Sequence, residues 1–123
     1  MKKLGDAELE IMLTVWAAEE PVTSGYVSDA LKGRRDWALP AVVTSLNRLT
    51  EKGFLRCEKQ GRVNLYSPLI SERDYKASES RGILTRLFDG SVSGLAAALY
   101  DGKAMGEKEI RELRAFLGQL EGK

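Results

Sequence analysis

The run Pro40-Ala41-Val42-Val43-Thr44-Ser45-Leu46-Asn47-Arg48-Leu49-Thr50-Glu51-Lys52-Gly53 divides into two faces when wound at about 100° per residue. Val42, Leu46 and Leu49 point one way, and Thr44, Asn47, Arg48 and Glu51 point roughly opposite, with Ala41 and Val43 on the flanks. Pro40 suits the first turn of such a helix, where its missing N–H costs nothing, and Gly53 suits the position just past the end. One stripe is made for packing. The other is short, polar and partly basic.

Two further helices precede this one. Leu9, Met12, Leu13 and Trp16 recur at i, i+3, i+4, i+7, with Gly5 or Asp6 as N-cap and an end expected near Ala18. Pro21-Val22 is a short extended piece, after which Thr23 caps a second helix with Val27, Ala30 and Leu31 on one face and Gly33 as its stop. On the other side lie two β-like runs, Phe54 to Lys59 and Val63 to Pro68, joined by Gln60-Gly61-Arg62. Three helices followed by a basic hairpin is the order of a winged helix-turn-helix. The fold expected is therefore mainly α with a small β-hairpin wing over residues 1–70.

Residues 71–123 read as a separate helical segment. Ser71-Glu72-Arg73-Asp74 resembles a capping box, and helical pattern continues through Tyr75, Ile83, Leu84 and Leu87 to Phe88. Val92, Leu95, Ala96, Leu99 and Tyr100 mark a shorter helix, and Ile110, Leu113, Leu117 and Leu120 form an alternating three-four seam in the last.

With 123 residues, 43% hydrophobic and 30% charged, the chain has the composition of one globular domain, or of a small domain with an appendage. No apolar run approaches the roughly 20 residues that cross a bilayer, so a cytoplasmic protein without membrane insertion is expected. There is no histidine, and Cys57 is the single cysteine. This leaves no intrachain disulfide, no usual zinc-ligand set and no His-based acid/base catalysis. Cys57 reads as a small buried apolar group. Glycine-rich phosphate loops and nucleophile elbows are absent from the sequence, and carboxylate pairs on helix surfaces are ordinary solvated charge. Neither an enzyme nor a cofactor, catalytic site or metal is expected.

The net charge of +1 conceals an uneven distribution. Met1 to Leu31 holds two Lys against six acids, Lys32 to Arg62 holds eight Lys and Arg against three, and the remainder balances at nine each. The basic third coincides with the third helix and the hairpin, as a DNA-facing surface would require. Arg48 suits guanine or phosphate, Thr44 a base or phosphate, and Val43 a thymine methyl, with Ala41 and Asn47 beside them. Arg62 at the hairpin tip suits the backbone or the minor groove, and Lys32, Arg34 and Arg35 suit phosphates. Glu51, a turn further on, should keep the helix C-terminus at the edge of the groove. A winged-helix protein-interaction module, with the basic helix on an acidic protein surface, is the alternative that fold alone leaves open.

Leu4-Gly5-Asp6-Ala7-Glu8-Leu9-Glu10-Ile11-Met12, Val15-Trp16, Ala41 through Gly53, Gly61-Arg62-Val63 and Tyr66-Ser67-Pro68 together resemble the penicillinase-repressor family (BlaI/MecI/CopY type). Asp89-Gly90-Ser91 and Glu109-Ile110-Arg111-Glu112-Leu113 extend the resemblance nearly over the whole chain. It implies a homodimeric transcriptional repressor on a palindromic double-stranded DNA operator. Thr44 and Arg48 then stand at matching recognition positions and Arg62 at the wing. It also implies dimerisation through the last three helices, onto Leu84, Leu87, Leu95, Leu99, Ile110, Leu113, Leu117 and Leu120. Ala41 stands where the family commonly has Thr. Antibiotic-responsive members are cut by a membrane-sensor protease at an Asn-Phe pair, whereas the corresponding pair here is Ala98-Leu99. Copper-responsive members carry a C-terminal cysteine cluster that this tail lacks. The relieving signal is thus unidentified, with a sensor protease acting at another bond as one candidate partner.

Overall fold

The computed structural model describes residues 2–34 and 36–122. The elements run α1 (Asp6–Ala18), α2 (Ser24–Ala30), α3 (Leu39–Glu51), β1 (Leu55–Gln60), β2 (Val63–Pro68), α4 (Glu72–Phe88), α5 (Val92–Asp101) and α6 (Glu107–Glu121). They fall into two compact units, divided within α4 between Glu79 and Ser80. This is mainly α architecture with a small β wing.

Local chemistry sets the helix ends of the first unit. Gly5 is the N-cap of α1, and its N–H donates to Glu8 Oε1 at 3.1 Å, so Glu8 satisfies a donor the helix cannot. The Thr23 hydroxyl accepts from the Tyr26 N–H at 3.0 Å and starts α2. Pro40 lies in the first turn of α3. Gly53 follows with φ +84°, a left-handed conformation that a Cβ would strain, and directs the chain into β1.

β1 and β2 pair antiparallel from Leu55↔Pro68 to Gln60↔Val63. Gln60 therefore belongs to the strand, and the turn is the two residues Gly61-Arg62, with Gly61 at φ +66°. Val22 pairs with the other edge of β2: its N–H donates to the Tyr66 carbonyl at 2.9 Å, and the Tyr66 N–H donates back at 2.8 Å.

The core of this unit joins Leu4, Ile11, Met12, Val15, Val22, Val27, Leu31, Val42, Leu46, Leu49, Phe54, Leu55, Tyr66 and Tyr75. Val42, Leu46 and Leu49 are the buried stripe of α3, as their spacing predicts. On α1 the fully buried stripe is Ile11, Met12 and Val15, whereas Leu9, Leu13 and Trp16 are half-buried. The helix is thus rotated from the expected stripe, and Trp16 lies at its margin, where the indole N–H donates to the Ile70 carbonyl at 2.9 Å. An indole placed deeper would leave that donor unpaired. Ala30 of α2 is exposed, so Val27 and Leu31 make that contact.

Tyr75 at the start of α4 closes the first unit. Its hydroxyl accepts from the Leu4 N–H at 3.0 Å, and its ring packs 5.9 Å from Trp16 and 5.8 Å from Phe54, edge-on to the latter. Leu4 lies 71 residues earlier in the chain.

The second unit holds the rest of α4 with α5 and α6. Ser91 caps α5, its hydroxyl accepting from the Gly94 N–H at 2.9 Å, and Glu109 reaches back to the Gly106 N–H at 3.0 Å to start α6. No residue of α5 or α6 is buried. Among the described residues no helix is long and apolar enough to cross a membrane.

Candidate nucleic-acid interface

The buried stripe of α3 fixes which face the helix turns outward. Opposite Val42, Leu46 and Leu49, the side chains of Ala41, Thr44, Asn47, Arg48 and Glu51 are exposed, and Val43 is half-buried. Among the described residues, no other part of the first unit buries this outer face.

Two of these side chains are already engaged. The Thr44 hydroxyl donates to the Pro40 carbonyl at 2.9 Å, which spends its proton and leaves oxygen lone pairs and a methyl group facing outward. Asn47 Oδ1 accepts from the Tyr66 hydroxyl at 3.4 Å, a link from β2 to α3 that sequence spacing does not reveal. Leu39, at the start of α3, is a large apolar side chain about half exposed, and sequence reasoning passed over it.

The basic residues lie on the segments before and after α3. Arg62 is exposed at the turn of the wing. Behind it Lys59 is exposed, while Arg56 pairs with Glu58 on its own strand at 2.8 Å. Before α3, Lys32 and Arg34 are exposed, with Lys32 Nζ 3.0 Å from Asp29 in a pair so solvated that it leaves the ammonium available to a phosphate. Arg35 lies outside the described residues. Lys32, Arg34, Ser28 and Trp37 line an open depression of about 400 Å³ beside the start of α3.

Cys57 requires a correction: it is exposed, not buried. Only Leu55 of β1 reaches the core, and from Arg56 to Gln60 the strand is exposed on both faces. An alternating strand buries one face only where a layer covers it, and this ribbon extends past the helices.

Electrostatics tie the far end of α3 to α1. Lys52 Nζ donates to both Glu8 carboxylate oxygens, at 2.8 and 2.7 Å. Burial pushes the Glu8 carboxyl up, but the hydrogen bonds from Lys52 and from the Gly5 N–H, with the charges of Lys52 and Arg48, outweigh it and hold the group below its ordinary value. Nothing in this arrangement resembles an acid/base pair around a cleft, and among the described residues no cluster of His, Cys, Asp and Glu could hold a metal ion.

In the second unit, Leu87 (72% exposed), Leu99 (41%), Leu113 (40%), Leu117 (46%) and Leu120 (50%) are open to solvent, while Leu84, Leu95 and Ile110 are half-buried. Val92, Tyr100 and Phe116 add exposed apolar surface that the leucine seam alone does not identify. On α6, Ile110, Leu113 and Leu117 line one shallow open groove.

The family model described as "Penicillinase repressor" matches residues 4–119. The penicillinase repressor of Bacillus licheniformis is 32% identical over 120 residues, covering 95% of this chain and 93% of that protein. Among solved structures, the DNA-binding domain of the repressor BlaI matches with TM-score 0.52 and 38% identity, over 61% of this chain and 94% of that one. Monomeric Bacillus licheniformis BlaI in complex with the blaP half-operator matches with TM-score 0.51 and 36% identity, over 60% of this chain and 89% of that one.

Proposed function

This chain belongs to the penicillinase repressor family, and from that premise we propose that it is a sequence-specific, double-stranded DNA-binding transcriptional repressor that acts as a homodimer on a palindromic operator. The observation that carries the proposal is the uncovered polar face of α3, Thr44, Asn47 and Arg48, set on a rigid Val42/Leu46/Leu49 anchor. Solved BlaI bound to a half-operator supports this assignment.

On this reading α3 enters the major groove through its N-terminal half. Arg48 supplies charge-assisted bonds to guanine or phosphate, and Ala41, Val43, Thr44 and Asn47 fill the groove around it. Exposed Glu51 keeps the following turn at the rim, where it would repel phosphate. Arg62, Lys32, Arg34 and Arg35 hold the sugar-phosphate backbone and position the reader without themselves choosing sequence.

Dimerisation residues Leu84, Leu87, Leu95, Leu99, Ile110, Leu113, Leu117 and Leu120 bury their apolar surface against a second copy. The exposure of Leu87, Leu99, Leu113, Leu117 and Leu120 supports the assignment. Two recognition helices about one DNA turn apart then engage a two-fold operator, each raising the effective concentration of the other, and the occupied site is closed to polymerase. Repression is relieved by a signal, with proteolysis by a sensor protease as one route. Ala98-Leu99 in α5 departs from the Asn-Phe pair expected of antibiotic-responsive relatives, so cleavage on this route falls at another bond.

Footprinting on the DNA upstream of the protein's own gene tests the proposal. A protected site with two-fold symmetry is expected. Uniform cleavage at concentrations that saturate a control operator would count against it.

A further inference from the structure

Asn47 is held by the wing. Its Oδ1 accepts from the Tyr66 hydroxyl, and Tyr66 is itself immobilised: the residue is buried, and its backbone N–H and carbonyl are both bonded to Val22. Cys57, directly across the β1–β2 ladder, and Asn64 also hydrogen-bond with that hydroxyl. Burial and the Cys57 side chain push the phenol above its ordinary value, so it remains a protonated donor at neutral pH. An amide carries its oxygen and its NH2 on opposite sides of Cγ. With the oxygen drawn back to Tyr66, the exposed Asn47 side chain offers its two N–H donors outward.

We propose that Tyr66 is a specificity-positioning residue: by holding Asn47 Oδ1 it makes Asn47 a donor-only reader that selects guanine over adenine. The two-bond contact to adenine needs the amide oxygen to accept from N6 while the nitrogen donates to N7. Guanine O6 and N7 both ask for donors, whereas each base of an A·T pair offers a single acceptor. β2 thus takes part in base choice through a residue of α3. The inference rests on the DNA-binding function proposed above and adds to it the class of base that one side chain reads.

Selection from a randomised duplex pool tests it, using the full-length wild type, Tyr66→Phe, Asn47→Ala and the double variant. Asn47→Ala marks the base pair that Asn47 reads as the position where preference flattens. There the wild type selects a G·C pair. Tyr66→Phe frees the amide oxygen and shifts preference toward adenine by about fivefold, and the double variant shows the flat profile of Asn47→Ala alone. Asn47→Asp keeps an acceptor for Tyr66 but removes both donors, so it loses the guanine preference even if Tyr66→Phe does not fold.

A preference for an A·T pair in the wild type, or an unchanged profile in folded Tyr66→Phe or in Asn47→Asp, overturns the proposal. So does an adenine shift that persists in the Asn47→Ala background, since Tyr66 would then act by another route. If the wild type selects a motif but Asn47→Ala flattens no position, Asn47 reads no base, and only this inference is lost. A wild type that enriches no duplex defeats the DNA-binding function and this inference together.

Discussion

Lys52, the C-cap of α3, grips both carboxylate oxygens of Glu8 in the first turn of α1, at 2.8 and 2.7 Å. The same Glu8 accepts from the Gly5 N–H that opens α1, so one carboxylate joins a helix cap to the end of the helix proposed to read DNA. Both partners are largely shielded from solvent, unlike the surface pairs elsewhere in the chain.

This clamp has a pH signature. A carboxyl held below its ordinary value of 4.5 contributes stability that is fully present above that value and is lost as pH falls through the lower, folded-state value. Glu8→Gln is expected to cost about 1 kcal/mol at pH 7 after allowance for solvent screening. Urea unfolding of both proteins across the acid range checks it: the gap between them closes on acidification. A gap that is constant with pH would assign the loss to packing instead.

Trp16→Phe removes the indole donor from the Ile70 carbonyl and part of the ring packing on Tyr75. The expected loss is about 1–3 kcal/mol, read as a lowered denaturant midpoint with little change in slope. An unchanged midpoint would mean that water replaces the bond at no cost.

Arg48→Ala and Arg62→Ala should differ in kind. Loss of Arg48 is expected to weaken operator binding by about 1–3 kcal/mol and to relax preference at one base pair. Loss of Arg62 weakens binding to all duplexes more evenly and reduces the salt slope by about 1. Gel shifts on specific and scrambled duplexes separate the two patterns.

Leu117→Glu places a charge in the exposed seam of α6 without touching the core of the first unit, which includes no residue of α5 or α6. Sedimentation equilibrium is expected to show a monomer where the wild type shows a dimer, with operator affinity reduced because each half-site then binds alone. A wild-type mass for the variant would remove α6 from the proposed interface.

The helices and hairpin were legible because their signals are local. Val42, Leu46 and Leu49 repeat at helical spacing, Thr23 caps α2, and Gly53 and Gly61 take the positive φ their positions require. The faces of α3 followed from the same periodicity. What escaped depends on partners distant in sequence. The Glu8–Lys52 clamp spans 44 residues, the Trp16–Ile70 bond 54 and the Leu4–Tyr75 bond 71, and no spacing rule connects them. Cys57 was misplaced because alternation says which residues share a face but not whether anything covers it. The Tyr66–Asn47 bond was out of reach for the same reason, since the approach of one β2 side chain to α3 is a tertiary fact.

The central claim is that the basic, uncovered surface of the first unit meets DNA phosphates, and the salt dependence of duplex binding tests it most directly. Affinity for a duplex bearing the footprinted site is expected to fall linearly on a log-log plot, with a slope of about −0.9 per phosphate contacted. A flat line, with binding as tight at high salt as at low, would contradict the claim and transfer that surface to an acidic protein partner.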